Sequence, residues 1–233
     1  VKIVIFGANG PTGRRTTRQA LAEGHTVTAI TRRPESFPLS DPRLRLAGAD
    51  VLDPDAVRRA VAGQDAVIST LGASKSENPV RVYSRGIANV TRAMAEHGVP
   101  RLVCVTSVVL FGEEAPGESL LFRKVLEPLS VRFFGRNGVY DDQRRMEEIV
   151  SESDLLWTVV RPGGLFDADT VSDYQVSTAR LPGRYTSRAD LGNALLKQAV
   201  DDSHVREFID VRTTQGVPSL RDVIRKEAFG GRK

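Results

Sequence analysis

The chain has little of what covalent and metal-based devices are built from: one cysteine and three histidines in 233 residues, with aromatic residues at 6%. A lone thiol excludes an intrachain disulfide. Cys104 lies inside the apolar run RLVCVTSVVLF, so it is expected to be a buried core residue and not a nucleophile. His25, His97 and His204 are far apart and lack ligand spacing, so no metal site is expected. No apolar run approaches the ~18 residues of a membrane span, and the first residues enter a strand pattern without signal-peptide features. A cytoplasmic chain with no membrane partner is expected. Lysine is scarce too: 6 of the 33 basic residues, the rest being arginines scattered without a basic stripe. The net charge of +4 therefore points to no nucleic-acid partner, whereas a phosphorylated ligand would use a few arginines well.

What is present is ordinary globular material, 40% hydrophobic and 27% charged, long enough for one α/β domain over 1–233. Short apolar runs, most of them rich in valine and isoleucine (KIVIFG, TVTAIT, LRLAGAD, DAVISTLG, RLVCVTSV), alternate with helical patterns near 12–23, 54–62, 79–97 and 139–152. Strand WTVVRP, a short strand near YQVST, helix SRADLGNALLKQAV, strand EFIDV and a helix from Ser219 follow. Such alternation predicts a mostly parallel, doubly wound sheet covered on both faces. Ser187 and Asp190 read as a helix cap.

The first strand pattern runs into Gly7, Gly10 and Gly13, spaced G-x-x-G-x-x-G at the start of a helix. Gly7 would make the tight turn, Gly10 would let backbone approach a phosphate, and Gly13 would let the helix pack on the strand. The free amides there would face a pyrophosphate, placing Asn9, Pro11 and Thr12 beside it. At the end of the second strand, where an NAD site carries an acidic residue, stand Thr31, Arg32 and Arg33. Guanidinium groups there favour a 2'-phosphate, so NADP(H) is expected in preference to NAD(H). Arg14 and Arg15 could add to this or simply be solvated.

GANGPTG, DVLDPDAVRRAVAGQDAVISTLG, GIANVTRAMAEHGVPRLVCVTS, RRMEEIVSESDLLWTVVRPGGL and SRADLGNALL together resemble the atypical short-chain dehydrogenases/reductases, over nearly the whole chain. The likeness is greatest to the NmrA-like and biliverdin-reductase-B (flavin reductase) branch. It implies an NAD(P)-binding Rossmann-like fold, with Asp50 and Val51 flanking adenine and Thr70, Leu71, Gly72 and Ala73 lining the middle of the cofactor. Asp50 reads equally well as a turn residue. Pro162, Gly163, Gly164, Leu165 and Phe166 would meet the nicotinamide side. Ser107 matches the active-site serine of the superfamily, and reads otherwise as a strand-end serine bonded to backbone. The usual Y-x-x-x-K pair is missing: Tyr140 and Arg144 have its spacing, but alignment backwards from RPGG puts the lysine position nearer Gln143. The pair is thus replaced by Tyr140 and Arg144, or absent.

Without that pair, alcohol oxidation is disfavoured, and reduction of a small conjugated or aromatic acceptor such as a flavin, quinone or polyketide-like ketone is expected. The rival expectation is a non-catalytic NADP(H)-binding redox sensor acting through a protein partner. Segments near 111–137 and 162–186 would cover the substrate, the first carrying Leu120, Leu121, Phe122, Leu126, Leu129, Phe133 and Phe134; a core helix or dimer contact is an equal reading of that stretch. The protein is expected to act as a monomer or homodimer.

Overall fold

The KIVIF run forms β1 (Lys2–Phe6), and both of its faces are apolar, so it settles in the middle of a sheet with helices on either side. The computed structural model describes residues 1–74, 78–112 and 135–218. The apolar cover expected over 113–134 and the helix expected from Ser219 lie outside the described residues.

Around β1 the chain lays down α1 (Pro11–Ala22), β2 (Thr26–Thr31), β3 (Leu44–Gly48), α2 (Pro54–Val61), β4 (Ala66–Ser69), α3 (Val82–His97) and β5 (Arg101–Val105). It continues through α4 (Val139–Ser151), β6 (Leu156–Pro162), β7 (Gly164–Phe166), β8 (Tyr174–Ser177), β9 (Tyr185–Ser187), α5 (Arg188–Val200) and β10 (Glu207–Thr213). The main sheet runs β3-β2-β1-β4-β5-β6-β10-β8 and is parallel except for β8, which pairs antiparallel with β10. The first six strands have the Rossmann order, with the switch point between β1 and β4. A second pair, β7 with β9, was not foreseen from the sequence, because each strand is only three residues long.

Alternation along β1 divides the core in two. Val4 and Phe6 pack with Val57, Ile87, Met94 and Met146 beneath α2, α3 and α4, while Ile3 and Ile5 pack with Ala20, Leu21, Leu191 and Leu195 beneath α1 and α5. Each such large side chain contributes about 1.5–3 kcal/mol by leaving water. Cys104 is fully buried in the first layer, and burial pushes its thiol well above the usual range, so it stays protonated and inert.

The helix starts are satisfied in different ways. Asp53 caps α2 by accepting from Asp55 N at 3.0 Å and Ala56 N at 3.2 Å, and Ser187 caps α5 by accepting from Asp190 N at 3.0 Å, as the S-x-x-D spacing predicts. Helix α3 has no capping side chain of its own. Asp142, fully buried on α4, reaches across to accept from Tyr83 N at 2.9 Å, Ser84 N at 3.2 Å and the Ser84 hydroxyl. That contact fixes α4 against α3 and sets its rotation. Among the described residues no helix is long and apolar enough to cross a membrane.

Asp142→Ala leaves two helix-start amides buried without an acceptor, at a cost of about 2–4 kcal/mol. Thermal unfolding followed by circular dichroism should show Tm falling by roughly 5–15 °C.

Candidate functional site

The carboxyl ends of β1, β2, β4 and β5 open into a cleft of about 1100 Å³. That is slightly above the ~300–1,000 Å³ usual for small-molecule sites, and leaves room for an elongated ligand. The cleft lies at the topological switch point, where an open α/β sheet leaves space between diverging connections.

Its centre is the turn from β1 into α1. Gly7 has φ +75°, and a Cβ there would lie 2.5 Å from the Thr70 carbonyl oxygen. Gly13 lies behind the turn, where a Cβ would drive into the Gly7 carbonyl and Ala8. Only glycine allows strand and helix to approach this closely. Helix α1 then begins at Gly10 with Pro11 in its first turn, no side-chain cap and no acidic residue in that turn. Its open N-terminus and positive dipole end therefore suit an anion. Gly7, Asn9, Gly10, Pro11 and Thr12 border the cleft, while Gly13 supports it from behind.

Beyond β2 the cleft is cationic. Arg14, Arg32 and Arg33 border it, and none has a carboxylate partner among the described residues. Arg14 donates to Asn9 Oδ1 at 2.9 Å, and Asn9 Nδ2 donates to Ser36 Oγ at 3.0 Å, so the loop side chains brace one another. Asp50 borders the same end and accepts from Leu52 N at 3.0 Å, the bond of a turn residue. Val51 is buried beside it, its carbonyl accepting from Asn89 Nδ2 at 3.0 Å.

On the other side of the turn stand Thr70, Leu71 and Gly72. Thr70 is internally engaged, its hydroxyl donating towards Phe6 O at 3.0 Å and Gly7 O at 3.2 Å. Ala73 N donates to the Tyr83 hydroxyl at 3.2 Å, holding the connection after β4. Leu165 borders the cleft from β7, and its segment is tied down by Asp167, which bridges Arg15 at 3.1 Å and Arg188 at 3.2 Å.

The expected Tyr140–Arg144 pair is not assembled. Along α4 the buried positions are Asp142, Gln143, Met146, Glu147 and Val150, so helical periodicity turns Arg144 to solvent, where it pairs with Asp141 at 3.2 Å. Tyr140 is half-buried and does not border the cleft; burial, reinforced by Tyr83, pushes its phenol up, opposite to the shift an adjacent cation would cause. Gln143 occupies the inward position, bordering the cleft at 6% exposure with its Oε1 buried and without a hydrogen-bond partner among the described residues. The register counted back from RPGG already pointed there.

Ser107 takes the second of its two expected placements, a strand-end serine bonded to backbone. Its hydroxyl accepts from Val109 N at 3.4 Å at the start of the turn Val108–Phe111, while its neighbour Thr106 borders the cleft. Pro162, Gly163 and Gly164 lie outside the cleft lining. Gly163 N donates to Thr186 Oγ1 at 3.1 Å and Gly164 N to Arg184 O at 2.8 Å, so these glycines serve the junction with β9, where the Arg184 carbonyl leaves no room for a Cβ on Gly163. Nothing local in the sequence marks Thr106, Tyr83 or Arg188 as lining residues. Among the described residues, no group of three or more His, Cys, Asp and Glu side chains could hold a metal ion.

Since Arg144 faces solvent and its ion pair is exposed, Arg144→Ala should shift Tm by less than roughly 2 °C and leave nucleotide affinity unchanged within about twofold. Thermal unfolding and calorimetric titration check both.

A family model described as NAD(P)H-binding matches residues 7–202. An uncharacterized protein of Mycobacterium tuberculosis is 36% identical over 257 aligned positions, covering 99% of this chain and 28% of the relative, so this chain spans under a third of that protein's length. Among solved structures, a wide-type short-chain dehydrogenase/reductase from Veillonella parvula in complex with NADP superposes with a TM-score of 0.75 at 20% identity, over 92% of this chain and 95% of that one. The anaerobillin reductase of Escherichia coli O157:H7 superposes with a TM-score of 0.73 at 20% identity, over 94% and 100%. These two likenesses establish the shared fold. The glycine turn, the strand order and the matching family model agree: the chain belongs to the NAD(P)H-binding family of Rossmann folds, as its resemblance to the atypical short-chain dehydrogenases/reductases implied.

Proposed function

We propose that this chain is an NADPH-dependent reductase that passes hydride to a small conjugated or aromatic acceptor, such as a flavin, quinone or polyketide-like ketone. The cofactor preference rests on the guanidiniums of Arg14, Arg32 and Arg33, which border one end of the cleft without carboxylate partners among the described residues. A 2'-phosphate would give them charge-assisted, bidentate bonds, and an NAD-type acidic residue is missing from the end of β2.

The remaining residues fit a dinucleotide. The turn at Gly7 and Gly10 lets backbone reach a pyrophosphate, with the open start of α1 behind it. Asp50 and Val51 would flank adenine, and Leu71 and Gly72 would line the middle. The amide oxygen of Gln143, without a partner among the described residues, leaves one buried acceptor for a ligand donor at the far end.

NADPH, when bound, supplies the hydride. At the far end Leu71, Val105, Thr106, Gln143 and Leu165 offer apolar wall and neutral polar groups, with no cation in the lysine position. Such a site orients a ring and excludes water without delivering a proton strongly. It suits an acceptor that spreads the arriving charge over a conjugated system and takes its proton from solvent. The same neutrality also suits a redox sensor, which must bind the nucleotide without turning it over.

Purified protein should oxidise NADPH against at least one member of a panel of flavins, quinones and aromatic ketones. Tight NADPH binding without turnover of any of them would favour the sensor. Arg32→Glu should weaken NADPH binding about 10- to 100-fold while leaving NADH within about twofold, measured by fluorescence titration. An unchanged NADPH/NADH ratio would remove Arg32 from the phosphate site.

A further inference from the structure

Thr106, just past β5, borders the cleft at 6% exposure with its hydroxyl proton already committed. Its Oγ1 lies 2.6 Å from Glu147 Oε1, and since a carboxylate has no proton to give, Thr106 is the donor. Glu147 is held in place by Arg161, whose Nε and Nη2 donate to its two oxygens at 2.9 and 2.8 Å. The guanidinium is itself packed against the rings of Phe111 and Phe208, 4.7 and 4.1 Å from their centroids. A hydroxyl has one proton and two lone pairs, so what Thr106 retains for a ligand is acceptor capacity alone.

The half of the cleft it borders is the one away from Arg32 and Arg33, since β5 and β2 lie on opposite sides of β1 and β4. If adenosine lies towards β2 and β3, where Arg32, Arg33 and Asp50 stand, the ring at the other end of the nucleotide lies towards β4 and β5. We propose that Thr106 accepts a hydrogen bond from the carboxamide N–H of the nicotinamide ring and so selects a ring substituent that can donate, with Glu147 and Arg161 as the positioning residues that fix its polarity. This rests on the NADP(H) reading above. Thr106 thereby fixes one of the two ways round that the ring can lie, and discriminates against nucleotides whose ring carries no N–H donor.

The test is calorimetric binding of wild type, Thr106→Val and Thr106→Ser to NADP⁺, to its 3-acetylpyridine analogue, which keeps the ring carbonyl but has no N–H, and to 2',5'-ADP, which has no ring. Wild type should bind NADP⁺ about 3- to 10-fold more tightly than the acetylpyridine analogue, the value of one neutral hydrogen bond. Thr106→Val should erase that difference, Thr106→Ser should retain it, and all three proteins should bind 2',5'-ADP within about twofold of one another. Equal affinities in wild type, or a difference that survives in Thr106→Val, would overturn the assignment. So would a loss in Thr106→Val that extends to 2',5'-ADP, since that marks a structural role. Failure of wild type to bind 2',5'-ADP would instead sink the NADP(H) reading on which the assignment stands.

Discussion

The close approach of α1 to the end of β1 is the constraint on which the cleft depends. Gly13 sits where a side chain would collide with the Gly7 carbonyl, and Gly7 holds a positive φ under the Thr70 carbonyl. A single methyl at either position would push the helix off the strand. Because the approach is kept, the uncapped start of α1 lies at the switch point between β1 and β4, where a phosphate can meet backbone amides. The walls of the cleft follow from this. Residues at the ends of β2 and β4 flank the turn because both strands pair with β1 in parallel register.

Buried charge does the second part of the positioning. Asp142 and Glu147 lie on the inner face of α4, one satisfying the start of α3 and the other held by Arg161 and Thr106. Each is matched by donors on all sides, which is the condition under which a buried carboxylate is tolerable. The two anchors bracket Gln143 along the helix and leave it no freedom to turn away from the cleft. A neutral amide and a hydroxyl with a fixed hydrogen-bond direction therefore border the cleft, held by carboxylates that do not themselves line it.

Much of the fold was legible locally. Valine- and isoleucine-rich runs mark β1, β2, β4, β5 and β6 because central strands covered on both faces are largely apolar, while the edge strand β3, LRLAG, is partly exposed; the S-x-x-D and D-P-D starts of α5 and α2 carry their own caps. The short strands β7 and β9 were not legible, since three residues have no measurable period and their pairing comes from the chain folding back between Pro162 and Thr186. The site divides along the same line. Gly7, Gly10, Arg32 and Asp50 could be placed at the cleft because each lies in its own turn or strand end, whereas Tyr140, Arg144 and the glycines after Pro162 matched a motif in spacing but do not border the cleft.

By itself the sequence determined the alternation of β1 to β6 with their helices, the glycine turn and the basic end of the second strand, because these depend on neighbours within a few residues. Only the tertiary structure decided that Gln143 and not Arg144 faces the cleft, that α3 is capped from another helix, and that Thr106 can only accept. Those outcomes rest on partners 59 residues away for Tyr83 with Asp142 and 41 for Thr106 with Glu147. Hydrogen-bond direction and helix rotation are settled by which groups meet in the packed core, and no local pattern records that meeting.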